Sequence, residues 1–375
     1  MISAKSSAAK DIVDADHIPG VVAPEVFKHL YGHVETFSAL FKQFEADRAP
    51  GGILLHGPKG IGKATLAFAL ARKIMIASGD DEAEVREQIA LGVHPNVKVL
   101  RRAARERSSG FYQNIRVDEV RSVLRQLQQT RGRAGRRIII VDAIDDCNAS
   151  AANALLKTLE EPPAKTHLIL ISNRPGALLP TIRSRCQAHT LRPLANDQVE
   201  ELLKNSSFAK IPKGAKESDE AQSADKIKLA IKSANGSPRR AFQALGMANV
   251  AVLKKLSDWL KNPAMSGSST MLEICEILAN KKNQLEAKFA REIILQWIAT
   301  ETRQAATISN GLSGEAGAKN LPRLASAIEL WEKTNELFET SDSFNLDQRQ
   351  GFIILFDQIF THAQRHLADP ISMQA

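Results

Sequence analysis

The sequence predicts an α/β domain built on a parallel β-sheet, followed by two all-helical domains. Three short, uninterrupted apolar runs, at residues 52–56 (GILLH), 138–141 (IIIV) and 168–171 (LILI), are typical of strands that helices cover on both faces. From about residue 249 onward, apolar residues instead recur every three or four positions, which is the spacing of helices that bury one face. Strands that alternate with helices indicate a ligand site at the carboxyl ends of the strands.

The chain of 375 residues is predicted to contain four segments. A polar lead-in covers residues 1–18, the α/β domain covers 19–193, a small helical lid domain covers 194–248 and a helical domain covers 249–375. The lid domain carries a polar insertion at about 205–225, which is typical of a loop rather than a core. The last domain shows no candidate catalytic residues, so we expect it to serve assembly as a collar.

Composition excludes several classes of protein. Hydrophobic residues make up 43% and charged residues 25% of the chain, as in ordinary soluble domains. Neither a secretory-type apolar core near the N-terminus nor a run of about 18 apolar residues is found, which predicts a cytoplasmic protein without membrane contact. The three cysteines (Cys147, Cys186 and Cys275) form no CxxC pair, so we expect neither a disulfide scaffold nor a bound metal.

The formal net charge of +8 is concentrated in one basic window, residues 98–137. Twelve lysines and arginines stand there against three acidic residues, a local net charge of +9. Such a window suits contact with nucleic-acid phosphates or with an acidic partner surface, but solvated helix faces are the simpler explanation for most of its individual residues. Only two tyrosines and three tryptophans occur in the chain, which argues against a platform for stacking bases.

The most specific motif is GPKGIGK at residues 57–63, directly after the first predicted strand and at the start of a helix. Its spacing is that of a phosphate loop, GxxxxGK. Glycines let backbone N–H groups curl around phosphate oxygens, the helix N-terminus adds partial positive charge, and the lysine neutralises the outer phosphates. The sequence therefore predicts a nucleotide-binding loop formed by Gly57, Pro58, Gly60, Gly62 and Lys63.

Two positions of this predicted site lack the expected oxygens. Ala64 stands where a serine or threonine should bind magnesium, and Thr65 is rotated by about 100° along the helix. Asp142 ends the second predicted strand as a metal-binding carboxylate would, but Ala143 replaces the glutamate that activates water in many hydrolysing relatives of this loop class. The spacing places neither Asp145 nor Asp146 at that water. We expect a degenerate site, compatible with ATP or ADP held without hydrolysis.

Four motifs in sequence order resemble AAA+ clamp-loader subunits of bacterial DNA polymerase III. They are GPKGIGKATLA, VDAIDDCNASAANALLKTLEEPP, LISNRPGALLPTIRSRCQ and NGSPRRAFQAL. The resemblance covers essentially the whole chain, and the losses at Ala64 and Ala143 favour the delta-prime family over the gamma/tau motor subunits. Many members carry a four-cysteine zinc module after the phosphate-loop helix. This chain has no cysteine between Lys63 and Asp142, so no zinc is expected.

The resemblance implies roles for four further residues. Arg185 matches an arginine finger that acts in trans on a neighbouring subunit, although a helix cap or a surface ion pair would also explain it. Ser172 and Asn173 match the first sensor position, where a polar side chain would contact the γ-phosphate or the attacking water. A cap at the end of the strand would explain them equally well. Arg239 matches the second sensor, or forms an inter-domain ion pair. Implied partners are the gamma/tau and delta subunits in a hetero-pentamer within the DNA polymerase III holoenzyme, together with the sliding clamp and primed DNA.

Two other functions stay open on the residues alone. The first is an active AAA+ ATPase of the gamma/tau or Holliday-junction helicase type, which would turn over ATP in isolation and lose turnover in Lys63→Ala. The second is a stand-alone nucleic-acid-binding protein that uses the basic window. Tight, sequence-selective DNA binding would favour that function, whereas weak and steeply salt-dependent binding would fit a clamp-loader subunit.

Overall fold

The computed structural model describes residues 15–18, 21–105, 110–129, 135–206, 227–228, 230–231, 234–246, 250–311, 315–344 and 347–365. The chain divides into two compact units, Met1–Phe242 and Gln243–Ala375. Residues 1–14 of the predicted lead-in, and nearly all of the predicted insertion at 205–225, lie outside the described residues.

The first unit contains a five-stranded, fully parallel sheet with the strand order β2-β3-β4-β1-β5. The strands are β1 (Gly52–His56), β2 (Val97–Leu100), β3 (Arg137–Asp142), β4 (Thr166–Ser172) and β5 (Gln187–Thr190). The predicted parallel α/β fold is confirmed, and the three apolar runs form β1 and the centres of β3 and β4. The sequence did not predict the two edge strands, β2 and β5.

The described helices of the first unit include those that connect the strands. They are α1 (Val34–Glu45), α2 (Lys63–Ala77), α3 (Glu82–Ala90), α4 (Val117–Gln129), α5 (Ala149–Glu160), α6 (Pro180–Arg183), α7 (Asn196–Lys204) and α8 (Pro238–Gly246). The last of them, α8, continues past Phe242 into the second unit. Asp81 caps α3 by accepting hydrogen bonds from the backbone N–H groups of Ala83 and Glu84, and Asn148 caps α5 in the same way through Ala151.

Alternate residues of the central strands face opposite layers of helices. Ile138, Ile140 and Ile169 pack with the apolar faces of α1, α2 and α3. Their neighbours Ile139 and Leu168 pack instead with α4 and α5. Because both faces of the sheet are covered, these strands consist almost entirely of apolar residues. Because the strands are parallel, their carboxyl ends, which include Asp142 and Ser172, lie at the same end of the sheet.

The second unit is all-helical, as the sequence predicts for the C-terminal domain. Its helices are α9 (Val250–Lys261), α10 (Ser268–Ala279), α11 (Gln284–Gly311), α12 (Glu315–Phe344) and α13 (Gln348–Arg365). Trp259 of α9 meets Phe356 of α13 edge to face, with ring centroids 4.8 Å apart, and both side chains are buried.

A polar cluster joins three helices inside this bundle. The Arg323 guanidinium of α12 donates two hydrogen bonds, of 2.8 and 2.5 Å, to Glu301 Oε1 of α11. His362 of α13 places Nε2 3.7 Å from the same carboxylate and Nδ1 2.8 Å from Ser326 Oγ. Burial acts to raise the pKa of Glu301, but the nearby His362 and the hydrogen-bonded Arg323 outweigh it, so that pKa lies below its usual value.

Candidate functional site: the phosphate loop and its neighbours

The phosphate loop lies between the end of β1 and the start of α2. Its three glycines, Gly57, Gly60 and Gly62, have φ angles of +151°, +82° and +100°, a region that residues with a Cβ rarely adopt. A Cβ at position 57 would lie 2.2 Å from the carbonyl oxygen of Leu191. The glycines of the motif therefore meet a backbone requirement, and the loop curls over the N-terminus of α2 as the spacing predicts.

Lys63 occupies the centre of this loop and is 4% exposed. Its Nζ donates hydrogen bonds to the carbonyl oxygens of Gly57 (2.8 Å) and Pro58 (2.6 Å) and to Asn173 Oδ1 (2.8 Å). Burial lowers the pKa of Lys63 to about 8, although the carboxylates of Asp145 and Asp142 oppose that shift. Lys63 and Asn173, predicted from two separate motifs, thus lie in direct contact.

Asp142, the carboxylate at the position of a metal ligand in hydrolysing loops, is paired with an arginine of the chain. Asp142, at the end of β3, has Oδ2 3.5 Å from Nη2 of Arg101, which directly follows β2. The other arm of Arg101 lies 3.0 Å from Oε1 of Glu25, a residue only 4% exposed. Arg101 therefore faces two carboxylates from inside the fold. In the sequence, Arg101 is recognisable only as one of the positive charges of the basic window.

The two other acidic residues of this edge are also engaged. Asp145 accepts hydrogen bonds from Ser172 Oγ (2.8 Å) and from the backbone N–H groups of Asn173 (2.5 Å) and Arg174 (3.4 Å). It thereby closes the end of β4. Asp146 Oδ2 lies 3.0 Å from Nε of Arg102. Burial raises the pKa of Asp146, with the Arg102 cation opposing the shift.

These contacts decide whether the residues present fit a magnesium ion. Ala64 and Ala143 contribute only methyl groups, and the carboxylates of Asp142, Asp145 and Asp146 each face cations or N–H groups of the chain. Magnesium needs oxygen ligands at near-ideal octahedral positions. The described residues around the loop therefore do not fit a divalent cation. The glycine loop and Lys63 nevertheless fit the phosphates of a nucleotide.

Arg239 adds a second cation at the loop. Its backbone N–H donates to the carbonyl oxygen of Gly60 (3.2 Å), and its Nη1 donates to the carbonyl oxygen of Asp16 (2.5 Å). The Asp16 carboxylate lies 3.1 Å from Lys59 Nζ, 3.6 Å from Arg102 Nη2 and 3.8 Å from Arg239 Nη2. Burial acts to raise the pKa of Asp16, but Lys59, Arg239 and Arg102 hold it below its usual value.

A cavity extends from the loop toward an apolar wall. Besides the loop, Thr65 and Asp142, its lining includes Phe27, Tyr31 and Phe242. Arg72 of α2 fixes one side of it, because its guanidinium donates to the carbonyl oxygens of Glu25 (2.9 Å) and Phe27 (2.8 Å). A charged loop at one end and apolar side chains at the other suit a ligand with a phosphate group and a ring.

Arg185 lies apart from all the other predicted site residues. It precedes β5, which pairs in parallel with β1, so it lies at the amino end of the sheet, whereas the phosphate loop lies at the carboxyl end. Nη2 of Arg185 is 2.6 Å from Glu160 Oε1, and Nη1 donates to the carbonyl oxygen of Thr181 (2.9 Å). Within the single chain Arg185 thus forms a surface ion pair and a helix-end contact.

Several arginines of the basic window are paired within the chain. In addition to Arg101 and Arg102, Arg116 lies 3.4 Å from Glu119 and over the ring of Tyr112. Arg136 donates to the carbonyl oxygen of Phe44 (2.7 Å) and to Asp47 (2.9 Å). Residues 106–109 and 130–134 of the window lie outside the described residues. The paired arginines stabilise the fold and leave less charge for a partner than the sequence suggested.

Cysteines and possible metal clusters add little to the site. Cys186 packs against the sheet, and burial raises the pKa of its thiol to about 11, which does not suit a nucleophile. In the described part of the chain, no group of three or more histidines, cysteines and acidic residues could hold a metal ion. Nor does that part contain a helix long and apolar enough to span a membrane.

Comparison with known proteins identifies the segment that carries the site. Residues 32–195 match a family model described as "DNA polymerase III, delta subunit". DNA polymerase III subunit delta' of Pseudomonas aeruginosa is 41% identical over 138 residues, which are 36% of this chain and 40% of that protein. The corresponding subunit of Escherichia coli is 32% identical over 162 residues, which are 42% and 47% of the two chains.

A solved structure of a DNA polymerase III gamma subunit-related protein from Thermotoga maritima is also similar. It is 18% identical, the match covers 87% of this chain and 99% of that one, and the TM-score is 0.40, too low to support an argument. The alignments span less than half the length of the two delta' relatives. Together, the family match and these relatives show that residues 32–195 are a domain of the DNA polymerase III delta' family.

Proposed function

We propose that this chain is the delta-prime subunit of a bacterial DNA polymerase III clamp loader, which places the sliding clamp on primed DNA during replication. Its partners would be gamma/tau and delta subunits in a hetero-pentamer. The observation that carries the proposal is the match of residues 32–195, the segment that contains the phosphate loop, to the DNA polymerase III family model, together with the similarity to delta' subunits. In this complex the chain would act as a stator, without hydrolysing ATP itself.

The absence of hydrolysis follows from the chemistry of the loop. Hydrolysing loops of this class need a hydroxyl and a carboxylate for magnesium, and a group that orients water. Here Ala64 and Ala143 replace two of these groups, and Asp142 faces Arg101. The site therefore keeps groups that bind phosphate, led by Lys63, and lacks groups that would cleave it.

A role for Arg185 on a neighbouring subunit is supported by its position. Between it and the phosphate loop lies the length of β5, four residues at about 3.3 Å each, or about 13 Å. That distance exceeds the reach of an arginine side chain, so any nucleotide that Arg185 contacts is bound by another subunit. Its planar, permanently charged guanidinium suits the charge that develops on a transferring phosphoryl group.

The surface pair with Glu160 does not oppose such a role. The side chains of Arg185 and Glu160 are 34% and 47% exposed, and ion pairs at such sites typically contribute about 0–1 kcal/mol. A phosphate group on a docked neighbour would offer more charge than the single carboxylate. Exchange of Glu160 for a phosphate would therefore cost little, while the contact with Thr181 keeps the guanidinium near the surface.

Co-expression with delta and gamma/tau subunits tests membership in the complex. We expect the chain to co-purify as one assembly and to be required for loading a sliding clamp onto primed circular DNA. An assembly that forms and loads the clamp equally well without this chain would overturn the proposal.

The finger is tested in the same complex by Arg185→Ala, with Arg183→Ala as the matched control. Arg183 is an exposed arginine only two residues away, at the last position of α6. We expect Arg185→Ala to lower ATP hydrolysis by the assembled complex at least about tenfold at the site it serves. Arg183→Ala should leave hydrolysis unchanged, and equal effects of the two substitutions would contradict a specific role for Arg185.

A further inference from the structure

Charged groups of the chain itself pair with one another around the phosphate loop. On the phosphate side, the cations Lys59, Arg102 and Arg239 surround the carboxylate of Asp16. On the metal side, Arg101 faces the carboxylate of Asp142. An anion of the chain thus faces the cations beside the loop, a cation of the chain faces Asp142, and both contacts join residues far apart in the sequence.

We propose that Asp16 is the resident anion of the phosphate loop, and that the phosphates of a nucleoside diphosphate or triphosphate bind by displacing it, without a divalent cation. The inference rests on the proposed function, since it concerns the same non-hydrolysing loop. It adds the class of ligand, its independence of metal and the group that competes with it.

The contacts of Asp16 are those of a phosphate substitute. A carboxylate presents two negatively charged oxygens to the cations that a phosphate would meet, with charge-assisted bonds of the same kind. Oδ1 lies 3.1 Å from Lys59 Nζ, and the backbone oxygen accepts a 2.5 Å hydrogen bond from Arg239. Both Lys59 and Arg239 line the cavity together with Lys63, so the carboxylate lies at the entrance to the loop.

Displacement of Asp16 is energetically feasible. Its side chain and that of Lys59 are 47% and 49% exposed, so water already solvates much of the pair and salt screens it. A diphosphate carries more charge than one carboxylate, and Lys63 lines the same cavity as Asp16, Lys59 and Arg239. A diphosphate could therefore meet several of these cations at once.

Metal independence follows from the acidic residues. A divalent cation would have to displace Arg101 from Asp142, and that arginine also pairs with Glu25, whose carboxylate is buried. Removing one partner from a buried ion pair is costly, because the other charge is left uncompensated. Because Arg101 already balances the negative charge of Asp142, no metal ion is needed to hold that carboxylate beside the bound phosphates.

The test measures ADP binding by calorimetry to the full chain, in magnesium and in excess EDTA. Asp16→Asn removes the competing charge, and Asp47→Asn is the control because Asp47 is an 81% exposed aspartate that pairs with Arg136. We expect Asp16→Asn to tighten ADP binding about fivefold, or about 1 kcal/mol, the upper end for ion pairs of this exposure. Asp47→Asn should match the unsubstituted chain, and EDTA should change no dissociation constant more than about twofold.

Three results would overturn the inference: equal affinity in Asp16→Asn and the unsubstituted chain, a requirement for magnesium, or no ADP binding by either protein. Superimposable thermal melting curves of the two variants exclude unfolding as the cause of any difference. The clamp-loader proposal is judged separately, by assembly and by hydrolysis in the reconstituted complex. Failure to bind ADP would leave that proposal standing.

Discussion

Raising the pH from 7 to 9 should weaken ADP binding by discharging Lys63. Burial lowers the pKa of this lysine to about 8, well below the usual value of 10.5. Only the protonated ammonium attracts phosphate oxygens. The charged fraction of a group with this pKa falls from about nine-tenths at pH 7 to about one-tenth at pH 9.

The expected loss of affinity is therefore about tenfold, or about 1.4 kcal/mol. The terminal phosphate of ADP contributes little, because its second ionisation, near pH 6, is already about nine-tenths complete at pH 7, and the remainder adds negative charge that opposes the loss. The same lowered pKa affects the stability of the fold in the opposite direction: stability rises with pH while ADP affinity falls. Since the folded pKa of Lys63 lies below the unfolded value, the unfolded chain binds more protons between pH 8 and 10.5, and this group makes unfolding less favourable as the pH rises through that window.

Calorimetric titrations of ADP in EDTA at several pH values provide the assay, with the Asp16→Asn protein giving the tighter binding. Lys63→Met is the matched control, because it removes the titrating group and should leave a weak affinity that does not change with pH. An affinity that stays constant from pH 7 to 9 in the protein with Lys63 would refute the reasoning that burial depresses this pKa.

Three further outcomes are expected. Gly57→Ala should lower the free energy of unfolding by about 1–3 kcal/mol in denaturant titrations, because the new Cβ meets backbone 2.2 Å away, whereas Gly176→Ala, where nothing lies within 4 Å, should change it little. Phe356→Ala should cost about 3–5 kcal/mol by the same measurement because the ring is fully buried, and Ile354→Ala, at 47% exposure, much less. The isolated chain should hydrolyse ATP at the background rate, and magnesium-dependent turnover would favour the motor-type alternative.

The sequence predicted the centre of the fold better than its edges. β1, β3 and β4 lie inside the sheet, so their residues are apolar on both faces and stand out as uninterrupted runs. β5 (QAHT) has mostly exposed side chains, and β2 (VKVL) has a partly exposed lysine at its centre. An edge strand is stabilised by pairing along one side only, so its residues need not be apolar and local composition does not reveal it.

The same contrast holds for the site. Gly57, Gly62 and Lys63 were predictable because their spacing along the chain fixes their geometry around the loop. Arg101 and Asp16 were not, because their partners lie 76 residues (Glu25) and 223 residues (Arg239) away in sequence. The sequence gives the charges of such residues but not the pairs that they form.

Arg185 shows what sequence similarity adds and what it leaves to experiment. The motif suggests a finger, whereas the single chain contains an ion pair with Glu160. The ion pair and the proposed finger role are both compatible with the position of Arg185. Its guanidinium lies at the amino end of the sheet, far from the phosphate loop of its own chain, where a neighbouring subunit could contact it.

ATP hydrolysis by the reconstituted complex, with Arg185→Ala in this chain alone, tests the central claim most directly. We expect the complex to assemble normally but to lose hydrolysis at the site beside this chain. Full hydrolysis by a complex that carries Arg185→Ala would contradict it.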